Sequence, residues 1–341
     1  MSKEFNGIAN IKKELQYVLD AHKINGKIVR SLNGPRVTRF CISLKKGVDV
    51  RKVERCSKDI KIALGVDNIR ILNPIPGENS IGIEIPNGNN EKVCLSTLLD
   101  EQNWKKEMTL PIMLGKEISG EKVDIDLAKA LHVLIAGNDP AEISMGLNAM
   151  AMSLVHNFTP DDLHLVLYHP QEDVFAGYQG PVIHDTRQII TELRETAVEM
   201  ERRYKVLASA HAKTLKEYND NVGNQNLPQS PRLPYKIIII GELEKLRKDK
   251  MWNEAEMDIC RIAQIGRAAG IHLVAATQFP TSKVVTGLVK ANLPTRIAFR
   301  VDNVNESRLI LDMPGAENLL GDGDMLLMKH GIMKRIQCAT I

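Results

Sequence analysis

Apolar positions recur first at helical and then at strand spacing, and the pattern divides the chain in two. In residues 8–22, Ile8, Ile11, Leu15, Val18 and Leu19 share one helical face. Strand-like runs at 27–32 and 37–44 flank the turn Asn33-Gly34-Pro35 and predict a hairpin within residues 26–44. Helical spacing returns over 50–64 at Val53, Ile60, Ala63 and Leu64. Strands are expected at 69–72 and 81–85, around Pro74-Ile75-Pro76-Gly77. This predicts a small α+β domain over 1–104. Within it Asn87-Gly88-Asn89-Asn90 is a polar turn and 95–108 reads as a connector.

From residue 110 the rhythm becomes strand followed by helix. Strands are predicted at 131–136, 163–168, 236–240 and 271–276, with a long charged helix over 186–217 and an exposed loop over 220–232. Such alternation predicts an α/β domain over 105–341, a mostly parallel sheet flanked by helices. Residues 315–341 read as short strands and turns.

Composition narrows the class. The 341 residues are 43% hydrophobic and 26% charged, as expected of a globular protein with two cores. Aromatics are only 4%, which argues against stacking on single-stranded bases. Five scattered cysteines with no C-x-x-C pair predict buried thiols in a reducing compartment and no metal site. No apolar run approaches the ~18 residues of a membrane helix, so a cytoplasmic chain with no membrane partner is expected. The net charge of +3 hides an asymmetry. Residues 1–104 hold 17 Lys and Arg against 12 Asp and Glu, and the rest hold 28 against 30. The larger domain is therefore not a generally basic surface.

The most informative stretch is 133–150, an apolar strand, a turn dense in Gly, Asn, Asp and Pro, and a helix. A phosphate-binding loop, G-x-x-x-x-G-K-[ST], belongs in that setting. Counted from Gly137, its second glycine falls on Glu142, its lysine on Ile143 and its hydroxyl on Ser144. Gly137 and Ser144 remain. A carboxylate at 142 opposes polyphosphate by about 4 kcal/mol at ~4 Å and intermediate dielectric, and Pro140 removes one N–H. An ordinary strand–helix turn with no ligand is the plain alternative. Lys116, Lys205 and Lys213 are candidate substitutes for the lysine.

Several ordered blocks resemble the FtsK/SpoIIIE family of double-stranded DNA translocases. They include Pro35-Arg36-Val37-Thr38, Pro74-Ile75-Pro76-Gly77-Glu78-Asn79, Gly82-Ile83-Glu84-Ile85-Pro86-Asn87, Leu114-Gly115-Lys116-Glu117-Ile118-Ser119-Gly120, Glu199-Met200-Glu201-Arg202-Arg203-Tyr204, Arg267-Ala268-Ala269-Gly270-Ile271-His272 and Gly315-Ala316-Glu317-Asn318-Leu319-Leu320-Gly321-Asp322-Gly323-Asp324. The resemblance implies an alpha-type domain followed by a RecA-like P-loop NTPase-type motor domain that assembles into hexameric rings on duplex DNA. The family's membrane segments and winged-helix tail are expected to be missing.

By the same resemblance, the Asp-Glu pair after the third motor strand is Gly241-Glu242 here, which removes the metal-polarising carboxylate. Glu242 reads either as a residual general base or as a solvated helix cap. Thr277-Gln278 keeps the family's γ-phosphate sensor, and His169-Pro170-Gln171 replaces its Asp-Pro-Lys. Arg267 matches the arginine that reaches in trans into a neighbour's site, or is ion-paired on its own helix. Lys290 and Arg308 match two basic residues of the pore loops, Phe279 and Val304 replace two others, and Arg300 is an extra cation. These implied DNA contacts are equally ordinary surface charges.

Three functions follow. The first is a non-hydrolysing DNA-binding or ring-assembly subunit, with itself or with an active family member, needing no cofactor. The second is a working translocase that uses ATP and Mg²⁺ through an atypical loop. The third is a protein–protein scaffold without DNA.

Overall fold

The computed structural model describes residues 7–75, 78–87, 92–101, 107–175, 177–223 and 231–341. The small domain contains α1 (Ile8–Ala21), β1 (Gly26–Asn33), β2 (Val37–Leu44), α2 (Arg51–Arg55), α3 (Ser57–Leu64), β3 (Arg70–Leu72) and β4 (Ile81–Pro86). The helix expected over 50–64 is broken at Cys56, whose dihedrals (φ −80, ψ 0) leave the helical basin. The four strands form an antiparallel sheet in the order β1-β2-β4-β3. Strand alternation sends Phe40, Ile42, Ile81, Ile83 and Ile85 toward Leu15, Leu19, Ile60 and Leu64 of the helices. It sends Arg39 and Glu84 to the opposite face, which the larger domain covers.

The larger domain contains α4 (Leu95–Asp100), β5 (Pro111–Glu117), β6 (Lys122–Asp126), α5 (Leu127–Ala130), β7 (Val133–Ala136), α6 (Pro140–Asn157), β8 (Leu163–Tyr168), β9 (Val182–Ile183), α7 (Thr186–Ser209) and α8 (Leu215–Gly223). It continues with β10 (Tyr235–Ile240), α9 (Leu243–Arg247), α10 (Trp252–Ile265), β11 (Ile271–Thr277), α11 (Gly287–Asn292), β12 (Thr295–Ala298), α12 (Val304–Leu311), β13 (Asp324–Lys329) and β14 (Ile332–Cys338). The long helix expected over 186–217 stops at Ser209. A turn follows in which His211 takes φ +53, and α8 then runs into the stretch expected to be a loop. Residues 224–230 of that loop, like 88–90 of the polar turn and Pro76-Gly77, lie outside the described residues. The expected connector, 95–108, begins as α4. Its Leu95, Leu98 and Leu99 join the larger domain's core, and residues 102–106 are outside the described set.

Ten strands form one sheet, β6-β5-β14-β13-β12-β7-β11-β10-β8-β9. The run from β12 to β9 is parallel and the rest antiparallel, so the sheet is mixed with a parallel half that carries the loops of interest. The expected tail of short strands is the β13–β14 hairpin, which joins the parallel half to β5 and β6. Both faces are apolar. Val133, Ile135, Ile237 and Ile239 pack under Ile143, Leu147, Met150 and Leu154 of α6. Leu134, Ile238 and Ile240 pack under Leu193 and Met200 of α7 and Ile259 of α10. No helix of the described residues is long and apolar enough to cross a membrane.

The two domains meet on buried charge. Glu84 is fully buried and accepts from Arg39 Nε and Nη2 (2.9 and 2.6 Å) and from Arg335 Nη1 (2.6 Å). Arg70 Nη1 stands 3.5 Å from Oε2, the oxygen that Arg335 also holds, while Arg39 holds Oε1. Arg335 forms a two-pronged pair with Asp324 through Nε and Nη2. Burial alone would raise the Glu84 pKa, but Arg335, Arg70 and Arg39 hold it down to about 2. Below its ordinary pKa near 4.5, the unfolded state binds the proton first, so this stability is lost as pH falls from about 4.5 toward 2. Glu84→Gln is expected to lower unfolding stability by about 3–5 kcal/mol at pH 7, because Arg39 and Arg70 would then lose their paired carboxylate and only Arg335 would keep one, Asp324. Urea titration with global fitting checks this; a loss under 1 kcal/mol would mean that the cluster is hydrated.

Candidate functional site

The chain leaves β7 at Gly137 and enters α6 at Pro140. Asp139 is the N-cap of α6, with Oδ1 accepting from Ala141 N at 2.8 Å. Asp followed by Pro is a cap-and-first-turn pair that starts a helix firmly. A helix start can hold an anion because its first N–H groups lack partners. Here Asp139 supplies a carboxylate from within the chain, and Pro140 has no N–H to offer. Two more loop donors are committed to backbone: Gly137 N donates to Thr277 O (3.4 Å) and Asn138 N to Arg300 O (3.0 Å). Gly137 is required by packing, since a Cβ there would lie 2.8 Å from Phe299 Cβ.

The three pattern positions point in different directions. Ile143 is buried at 3% exposure in the core beneath α6. Ser144 Oγ donates back to Pro140 O at 2.7 Å. Glu142 is 2% exposed, and its Oε1 accepts from Gly323 N at 3.2 Å while Oε2 has no hydrogen-bond partner among the described residues. Burial lifts the Glu142 carboxyl to about 7, against the pull of the Gly323 amide, and the charges of Asp139 and Asp324 push the same way. Arg300, expected among DNA contacts, is exposed and lies beside this loop. Its Nη1 is 3.9 Å from where a Cβ on Gly321 would sit, and its carbonyl holds Asn138. Of the substitute lysines, Lys205 lies on α7, on the face of the sheet opposite α6.

At the end of β10 the structure brings Glu242, Thr277 and Gln278 together. Glu242 is the N-cap of α9 and is 2% exposed, so it is a cap but not a solvated one. Its Oε1 accepts from Thr277 Oγ1 (2.7 Å) and Glu244 N (2.9 Å), and its Oε2 from Gln278 N (3.1 Å). Burial raises its pKa, and these donors partly offset the rise. Both oxygens are thus occupied by the protein. Gly241 sits against His169: its N donates to Tyr168 O at 2.8 Å, and a Cβ would meet His169 Cδ2 at 2.3 Å and Tyr168 O at 2.9 Å. The His169 ring is buried, which lowers its pKa, and it accepts from Gln171 N at 3.1 Å. The ring therefore fills the space a side chain at 241 would need.

The remaining cations differ in their freedom. Arg267 follows α10, is exposed, and makes no ion pair among the described residues, so it is not paired on its own helix. Lys290 is tied to Asp312 Oδ1 at 2.6 Å and to Arg308 O at 3.3 Å. Arg296 shares the same carboxylate. The Arg308 side chain is exposed, as is Phe279. Asp312, Gly323 and the Asp139 cap are participants that the sequence reading missed, and His169 was read there only as a lost charge and not as the neighbour of Gly241. Only the cap had a local signal, the Asp-Pro pair.

The FtsK/SpoIIIE family model matches residues 95–282, and the FtsK alpha domain model matches 2–87. The DNA translocase FtsK of Helicobacter pylori (strain J99) is 40% identical over 94% of this chain and 38% of its own length. The DNA translocase FtsK of Listeria monocytogenes is 38% identical over 100% of this chain and 46% of its own length. The chain therefore spans less than half the length of these curated relatives. Among solved structures, the pCW3 conjugation coupling protein TcpA, monomer form with ATPγS, superposes with a TM-score of 0.64 at 19% identity. It covers 97% of this chain and 95% of that one, a likeness of fold.

Gly241→Asp is expected to lower stability by about 1–3 kcal/mol through overpacking against His169. The double variant with His169→Ala should recover part of that loss. Thermal and urea midpoints check this, and an unchanged single variant would show the space beside Gly241 to be open.

Proposed function

The chain belongs to the FtsK/SpoIIIE family, and from that premise we propose that it is a non-hydrolysing member that binds duplex DNA or assembles a ring. One observation carries this. At the place of the loop's second glycine stands Glu142, buried and bonded to Gly323 N, next to an Ile143 sunk in the core. A triphosphate with Mg²⁺ does not fit the residues present. The helix start is capped by Asp139, the lysine position carries no charge, and the position for a metal-polarising carboxylate is Gly241 against His169. Glu242, with both oxygens held by protein donors, is a structural cap on this reading, not a base.

Partners are proposed on the relatives' description as DNA translocases. Duplex binding would rest on Arg308 and its neighbours, with Lys290 weakened as a contact by its pairing to Asp312. Arg267, exposed and without an ion pair among the described residues, is placed to serve an adjoining active subunit on this reading, which supports the mixed-ring form. Salt-dependent duplex binding separates this reading from a scaffold without DNA.

No ATP turnover above background is expected with or without duplex DNA, and no heat of binding on titrating ATP with Mg²⁺. DNA-stimulated hydrolysis abolished by Glu242→Gln would overturn the proposal in favour of a working motor. Glu142→Gly with Ile143→Lys is expected to recover weak nucleotide binding but little turnover, because Gly241 still offers no carboxylate. Full turnover in that variant would show the second lesion to be harmless.

A further inference from the structure

The turn formed by Gly321, Asp322 and Gly323 is tied to β14 by Gln337 Nε2, which donates to Asp322 O (2.8 Å), and by Cys338 N, which donates to Gly323 O (2.7 Å), and it is gripped from two further sides. All three residues have positive φ (+86, +50 and +86), a left-handed path that turns their peptide groups outward. From the small domain, Arg36 donates through Nη1 to the carbonyls of Gly321 and Asp322, both at 2.9 Å, and through Nη2 to Asp322 Oδ2 at 3.1 Å. Arg36 is itself 8% exposed. From the first turn of α6, Glu142 Oε1 accepts the Gly323 amide. The next residue, Asp324, belongs to the Arg335–Glu84 cluster at the same domain junction.

We propose that Glu142 and Arg36 form a two-sided latch on this turn, so that residue 142 of the phosphate-type loop sets how firmly the small domain is seated. Neither side chain touches the other; the turn carries the coupling. An acceptor built into the chain at position 142 keeps the Gly323 amide engaged whether or not any ligand is present. The loop position and the small domain are then locked in one relation. This goes beyond the question of hydrolysis and needs no nucleotide for its action or its test.

Hydrogen exchange read by mass spectrometry on the whole chain tests it. Loss of one buried acceptor releases on the order of 1.4 kcal/mol, or about tenfold in local opening. Glu142→Ala is expected to speed exchange about tenfold in the peptide spanning 321–324. It should also speed exchange around Arg36, where Gly34 N donates to Val37 O and Asn87 N to Arg36 O. Glu142→Gln, which keeps a carbonyl acceptor, should exchange like the parent chain. Arg36→Met should speed exchange at 321–324 although it leaves Glu142 untouched. Combined with Glu142→Ala, it should add less than a twofold further factor. Acceleration confined to 321–324 in Glu142→Ala, a Glu142→Gln that behaves like Glu142→Ala, or full multiplication of the two single effects would each overturn the latch.

Discussion

A carboxylate without water must be surrounded by cations, and Glu84 is such a carboxylate. Period-two alternation in β4 turns Glu84 away from the small domain's own helices, toward the face that would be solvent if that domain stood alone. Arg39 and Arg70 come from its own sheet, and Arg335 comes from the last strand of the other. The pairing is intelligible only with both domains present. Burying these ions is costly, and it is offset by a network in which each charge is shared. The junction is therefore specific to one docking geometry, as an apolar junction of equal area would not be.

The two loop-end glutamates show one chemical group in opposite circumstances. Both are desolvated and both have raised pKa values. Glu242 has donors on each oxygen and closes the end of β11 onto α9. Among the described residues Glu142 has a donor on one oxygen only, and its second oxygen is buried without a partner. An under-satisfied buried acceptor is destabilising by about 1–3 kcal/mol, and it marks the less settled of the two positions. Around both, donors of the chain itself supply the hydrogen bonds.

The parallel strands were legible because they are buried on both faces. Runs such as Ile237-Ile238-Ile239-Ile240 have no solvent side to interrupt them. β12 was not, since Thr295-Arg296-Ile297-Ala298 is four residues long and Arg296 leaves the sheet for Asp312. β5 opens on a proline and contains Gly115, and of its two neighbours one, β14, lies more than 200 residues later. At the site, the substitutions at 142, 143 and 241 could be read directly. Their surroundings could not. The partner of Glu142 lies 181 positions away, and the group that fills the space beside Gly241 comes from the end of β8. Sequence spacing reports which residue types stand at the pattern positions, whereas only the folded chain reports what surrounds them.

The position of β14 has a consequence for biosynthesis. This strand is the penultimate segment of the described chain, yet it lies in the interior of the sheet between β13 and β5, and Leu95 N donates to Thr340 O just beyond it. Until residues 332–340 have left the ribosome, the β5–β6 ribbon has no neighbour and Glu84 lacks Arg335. The parallel half can assemble during translation, but its joining to β5 and β6 and the closing of the domain junction wait for β14. Until that strand emerges, β5 and β13 each present an open edge to the nascent chain's surroundings.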